Sequence, residues 1–422
     1  MWVLAVLALC GASFGQTQEE PPRQGQSGYE DVPEFGGNIS TGGQLKEDAE
    51  PKQPRFQLNT IQSWLEPYFD WKRKPNEKHG LSFGMDYTAV GLWASDSPGE
   101  DEAASGMFRL FGNWTATGRG TANTGSVIFK LEHRHRYTAV APKGLGFETG
   151  YVGLHEPPFN NDTWRLTNLY WMQRMHEGHF NLLGGLVDVT DYVDVNALAN
   201  PWTGFFNFAF STGSATIPVP NDGGLGGALG AALSENFYTV VGIADTNADP
   251  TQPGDSFESF FDDSELFSHV ELGWFSSYDR RYLDNAHLTL WHADEREATG
   301  DAAGSGVNFS WSYFYQDKWM PFVRGGWTEN GGSLLERSLS AGFGYQAVLN
   351  QDLLGIGLNW GRPNSDTFGP GLDDQFTAEV FYRVQFSENF AITPDLQFIS
   401  NPALNPDDDT LWMLGLRVRL GV

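Results

Sequence analysis

From Gly80 to the end of the chain one unit repeats: a strand-like run of roughly ten residues, then a cluster of Gly, Asn, Asp and Pro. Such runs cover 81–90, 108–116, 126–138, 269–276, 285–293, 306–315, 320–327, 338–347, 353–360, 376–386, 390–399 and 411–420. Within them side chains alternate. Phe376, Ala378, Val380, Tyr382, Val384 and Phe386 share one face of their run; Thr377, Glu379, Phe381, Arg383 and Gln385 share the other. In the last run Trp412, Leu414, Leu416, Val418 and Leu420 alternate with Met413, Gly415, Arg417 and Arg419. A period of two over so many segments leaves only all-β architectures.

Alternation fits a soluble sandwich, with the apolar face inward, and a membrane barrel, with the apolar face in lipid. Three features favour the barrel. The array is uniform, it ends in an amphipathic strand of the kind read by barrel-assembly machinery, and an export signal precedes it. Met1–Gly15 is apolar, closes on Ser13-Phe14-Gly15 and holds the one cysteine, Cys10, so residues 1–15 read as a signal peptide. After it no run of 18 or more apolar residues follows, and no spanning helix is expected. Residues 16–56, rich in Gln, Glu, Gly and Pro, read as a flexible polar leader. Within 57–422, Thr60–Trp71 reads as a short helix broken near Pro67, and the remainder as a transmembrane antiparallel β-barrel. About 340 residues remain for the strands, so sixteen of them would have about 21 residues each, connection included.

Acids outnumber bases 53 to 26, a net charge of −27, which excludes a nucleic-acid partner. The excess gathers between the runs, in GEDEA (99–103), FDDSE (261–265), DEREATGD (294–301) and PDDD (406–409). KLEHRHRY (130–137) is different, because its charge continues a strand that starts with Val127, Ile128 and Phe129. Val127, Phe129 and Leu131 share one face, so Lys130, Glu132, Arg134 and Arg136 share the other. At membrane depth only a wet lumen keeps four such groups hydrated. His133 and His135 then fall on the lipid side.

Several stretches together resemble the carbohydrate-selective outer-membrane porins of the OprB type. They are FKLEHRHRY (129–137), GFETGYVGL (146–154), LTNLYWMQR (166–174), DVTDYVDVNALANPWTGFFNFAF (188–210), TIPVPNDGGLGG (216–227), WMPFVRGGW (319–327), DLLGIGLNWGRP (352–363), EVFYRVQF (379–386), FAITPDLQFISNPALNPDDD (390–409) and LGLRVRL (414–420). The resemblance implies a sixteen-stranded barrel in a Gram-negative outer membrane that passes sugars such as glucose by facilitated diffusion. It implies inward-folded loops, for which Asp191–Gly227 is the candidate, and arginines with acidic and aromatic partners. Implied partners are small sugars, outer-membrane lipid and lipopolysaccharide, and no cofactor. Alternation assigns Arg109, Lys130, Glu132, Arg134, Arg136, Arg324, Glu379, Arg383, Asp395, Arg417 and Arg419 to the lumen, with Trp291 as an aromatic face for sugar C–H groups. Asp188, Asp191 and Asp194 lie in a family-like segment without an assigned orientation.

Other motifs read plainly. HEGH (176–179) lacks zinc-helix spacing and reads as a hairpin turn, DVTDYVD (188–194) lacks calcium-loop spacing, and GLGGALG (224–230) reads as a glycine-rich loop or strand. No metal site and no catalytic constellation emerges. The competing class is an exported β-rich protein that binds or hydrolyses carbohydrate.

Overall fold

A computed structural model describes residues 27–422, so the expected signal peptide lies outside the described residues. Sixteen antiparallel strands close into one barrel. They are β1 (Leu81–Ala94), β2 (Glu102–Thr117), β3 (Gly125–Arg136), β4 (Thr163–Met175), β5 (Phe180–Val187), β6 (Gly224–Ala232), β7 (Phe237–Asp245), β8 (Leu266–Phe275), β9 (Asn285–Ala293), β10 (Gly304–Ser312), β11 (Trp319–Glu329), β12 (Leu335–Tyr345), β13 (Leu353–Pro363), β14 (Gln375–Ser387), β15 (Phe390–Ser400) and β16 (Thr410–Gly421). The seam joins β1 to β16 with Asp86 opposite Gly421. Beyond it, Met85 and Val422 exchange both backbone hydrogen bonds. Closure leaves no unpaired edge, the condition for strands in lipid.

Alternation decides the two faces as the sequence implies. Along β16, Trp412, Leu414, Leu416 and Leu420 are exposed on the outside, while Met413 and Arg417 are buried within. Along β3, Lys130, Glu132 and Arg134 are buried inside. This alternation survives a bulge because the extra residue, Thr167, belongs to β4; its hydroxyl bonds the Lys130 carbonyl at 3.1 Å. An apolar outside around a polar inside is the inverse of a soluble sandwich. No helix among the described residues is long and apolar enough to cross a membrane.

His133 and His135 do point outward. His133 meets the Trp164 ring edge-on at 4.9 Å, and His135 Nε2 lies 2.9 Å from the Tyr87 hydroxyl, which also bonds Tyr137. Gly106 makes room for this group, since a Cβ there would collide with both tyrosine hydroxyls. Polar-tipped rings collected at the end of a strand form the interfacial belt of a barrel, where imidazoles stay hydrated.

Both termini of the barrel lie at one end, here the terminal end. The connections at the other, far end are longer, chiefly 137–162, 188–223 and 246–265. HEGH forms the turn between β4 and β5, and GLGGALG is strand β6, where Gly226 and Gly227 pair with Gly185 and Gly184. The expected inward loop therefore runs over 188–223 and stops short of Gly227.

Two expectations near the N-terminus are corrected. From Ser27 the supposed flexible leader is folded into the barrel mouth, with a helix, α1 (Thr41–Ala49), whose Gln44 and Leu45 are buried. The reason is charge pairing: Asp48 and Glu47 of α1 reach Arg419 and Arg383 of the wall. The expected short helix is α2 (Asn59–His79), which passes through Pro67 and Pro75. Pro67 stands on the exposed side, where water can take the carbonyl it strands, so the helix continues.

The barrel predicts heat-modifiable migration. Unheated protein should run ahead of boiled protein on a denaturing gel, and identical migration would contradict a closed barrel.

Candidate functional site

The interior is occupied by three inserted segments, each pinned by charged side chains of the wall. Arg324 of β11, 1% exposed, donates to the Asp194 carboxylate, to the Asp194 carbonyl at 2.8 Å and to the Phe210 carbonyl at 3.0 Å. Asp194 also accepts from His287 Nε2 at 2.8 Å, and its own amide donates to Glu271 at 2.9 Å. Burial works against its charge, yet Arg324 and His287 hold its carboxyl below the usual carboxylate range. Glu379 of β14 takes the Phe206 and Asn207 amides at 2.6 and 3.0 Å. These contacts fix the 188–223 loop across the lumen.

Arg417 of β16 joins that loop to the 137–162 loop. It donates to Glu156 at 2.6 Å and to the carbonyls of Pro201 and Gly204 at 2.9 and 2.7 Å. The N-terminal segment is held likewise. Arg419 bonds Asp48 at 2.8 and 3.0 Å and Asp86 at 2.8 Å. Arg109 shares Asp86, donates to Gln44 of α1 at 2.7 Å and lies 3.6 Å from the Trp202 ring centre.

Several spaces remain inside the barrel among the described residues, and two of them share Trp202. The far-end cavity, about 280 Å³, has Lys130, Glu132 and Arg134 of β3 with Asp222 on one side. Opposite lie Trp202, Phe208, Pro201, Pro218 and Val219. Arg134 bonds Glu132 and, at 2.7 Å, Asp222, which also pairs with Arg165; Lys130 stands 3.4 Å from Asp191. The terminal-end cavity, about 390 Å³, is bordered by Glu47, Asp48, Lys52, Arg383, Arg419 and again Trp202. Trp202, stacked on Arg109, is thus common to both spaces.

The charged ladder of β3 thus faces apolar rings inside a closed barrel, and the comparisons supply the family. The family model described as carbohydrate-selective porin, OprB family, matches residues 114–298 and 275–421. The chain belongs to this family. The porin is similar in fold to Pseudomonas putida OprB solved at high pH, with TM-score 0.66 and 15% identity over 84% of this chain and 97% of that one. The low-pH structure of the same protein aligns with TM-score 0.50 and 12% identity, covering 88% of this chain and 100% of that one. None of the curated proteins matches the chain in sequence. Membership makes the porin a channel, which sets aside the binding-protein or hydrolase alternative.

Sequence-derived residues divide by position. Lys130, Glu132 and Arg134 converge on the far-end cavity, and Arg383 and Arg419 on the terminal-end one. Arg109, Arg324, Arg417 and Glu379 are consumed in holding the inserted segments. Asp395 accepts from Gln397 at 2.9 Å. Two expected residues stand apart. Arg136, at the rim of β3, is exposed and turns back to the Ala139 carbonyl of its own loop. Trp291 is packed against Phe267 and donates to Asn308 at 3.1 Å, away from both cavities. Missing from the sequence reading were Asp86, Arg165, Trp202 and Asp222. Asp86 shares a face with Ser82 and Thr88 in a recognised run, so alternation alone could have found it.

Three outcomes are expected. Arg324→Ala leaves Asp194 buried without its guanidinium, which should cost about 3 kcal/mol and lower the urea midpoint. An unchanged midpoint would remove Arg324 from the clamp. Because the folded Asp194 carboxyl sits below its ordinary value, its stabilisation is complete above the unfolded pKa of about 3.9 and is lost as pH falls through the lower folded value. The 188–223 loop should therefore resist protease at about pH 5, and cleavage there would contradict the clamp. Finally, deleting residues 27–56 should raise single-channel conductance, whereas equal conductance would show that the solute path avoids α1.

Proposed function

We propose that the porin admits small neutral sugars, monosaccharides such as glucose among them, by way of the far-end cavity. The observation that carries this reading is the pairing of its two walls. Lys130, Glu132, Arg134 and Asp222 supply donors and acceptors for sugar hydroxyls, and Trp202 and Phe208 supply apolar faces for sugar C–H groups. The cavity volume sits near the lower edge of small-ligand sites, roughly 300–1,000 Å³. Several modest contacts in series suit transport, which needs a solute that leaves as readily as it enters.

In this reading the arginines have two duties. Arg134 faces the solute, with Arg383 and Arg419 beyond Trp202. Arg109, Arg324 and Arg417 set the bore by fixing the segments that narrow it. Trp202 on Arg109 is the narrow point, and Trp291 has no part in it.

The porin resides in an outer membrane after export and insertion by barrel-assembly machinery. Its terminal end faces the periplasm, consistent with short turns there and long loops at the far end. The belt of His133, His135, Tyr87 and Tyr137 meets lipopolysaccharide.

Neutral sugar added to a planar bilayer should reduce single-channel current. Arg134→Ala should weaken this block several-fold, and Arg136→Ala should leave it unchanged. If Arg134→Ala retains full block, the β3 ladder is not in the pathway; absence of any channel would sink the porin reading itself.

A further inference from the structure

We propose that α2 is an in-plane membrane anchor, lying on an anionic phospholipid leaflet at the terminal end of the barrel. The inference rests on the barrel spanning a membrane and is independent of which solute it passes.

The helix has two apolar sides. One is satisfied: Phe69 and Lys72 are buried against the barrel, where the Lys72 carbonyl accepts from the Tyr29 hydroxyl at 2.8 Å. The other is largely uncovered. Ile61, Trp64 and Trp71, at helical spacings of three and seven, share one face, and Trp64 is 78% exposed, the most of any large apolar side chain among the described residues. This face is continuous with the outer belt of the barrel. The Trp71 ring meets Phe83 of β1 edge-on at 5.7 Å. Just before the helix, Phe56 lies 4.6 Å from Phe386, which in turn contacts Phe390 at 5.7 Å, both on the outward sides of β14 and β15. Whatever wets those strands wets α2 as well, and tryptophan favours the boundary between hydrocarbon and headgroup.

Charge selects the lipid. The chain carries −27, yet α2 ends in KRKPNEKH. Lys74 and Lys78 edge Trp71 and Trp64 along one side of this face, and Asp70, Glu77 and Glu66 follow beyond Lys74, farther round the helix. A tryptophan face edged by lysines, with no carboxylate between them, is the pattern of a helix resting on anionic headgroups.

Cys10 is the one cysteine of the chain, so with Cys10→Ala a single introduced cysteine can carry a nitroxide label. Ile61→Cys and Glu66→Cys would be prepared in the whole porin, checked for heat-modifiable migration and reconstituted in phosphatidylcholine vesicles with or without phosphatidylglycerol. Collision rates with oxygen and with a soluble nickel chelate report depth. The label at 61 should be shielded from nickel several-fold more than the label at 66. Phosphatidylglycerol should increase that contrast, and Lys74→Glu with Lys78→Glu should remove the increase. Equal nickel access at 61 and 66 in an inserted barrel would overturn the anchor while leaving the channel intact. Spin–spin broadening between labels at 61 would also overturn it, by showing that a second copy covers the face.

Discussion

A guanidinium inside a barrel cannot give up its proton, so every buried arginine must find acceptors or unfold its surroundings. That constraint organises the interior. The acceptors that Arg109, Arg324, Arg417 and Arg419 find belong mostly to inserted segments: Gln44, the Asp194 carboxylate and carbonyl, the Phe210, Pro201 and Gly204 carbonyls, and Asp48. A sixteen-stranded wall encloses too much space to be filled by its own side chains. Loops and an N-terminal segment do the filling, and the arginines hold them at fixed depth. A change at Arg324 therefore reaches the barrel interior through the 188–223 loop that it holds.

Much of this was legible in the chain. Where strands alternate large apolar with polar side chains, as in β14 and β16, the faces follow from period two. Strands β5 and β6 are rich in Gly184, Gly185, Gly226 and Gly227, which carry no side chain to alternate, so that stretch left strand and loop undecided. The inward loop showed itself by length and composition, but its contacts did not, because Trp202 and Asp222 act through a loop path that has no period. Proline misled for α2: its effect depends on whether the freed carbonyl reaches water, which is a property of the fold. The leader misled for a related reason. A polar, acidic stretch reads as solvated unless the arginines that receive Glu47 and Asp48 are known to face it.

The KLEHRHRY strand shows how one segment serves two environments. Its inner residues Lys130, Glu132 and Arg134 border a cavity and loop carboxylates, and its outer histidines join Tyr87, Tyr137 and Trp164 at the interfacial belt. Both sets are polar because β3 is read near the far end, where even the outward face leaves hydrocarbon. Strand depth, as well as strand parity, decides which residues a barrel tolerates.

The seam between β1 and β16 carries a kinetic implication. Asp86 and Gly421 come from opposite ends of the sequence, and fifteen hairpin pairings can form before they meet. Closure is the contact of greatest sequence separation, so its chain-entropy cost falls at the end of assembly. Until then β1 and β16 each present an open row of amides and carbonyls. The same Asp86 that anchors Arg109 and Arg419 bridges this seam from within, since Arg419 is a β16 residue. One carboxylate thereby ties the last-made strand to the first, acting as a latch on the finished cylinder as well as a support for its bore.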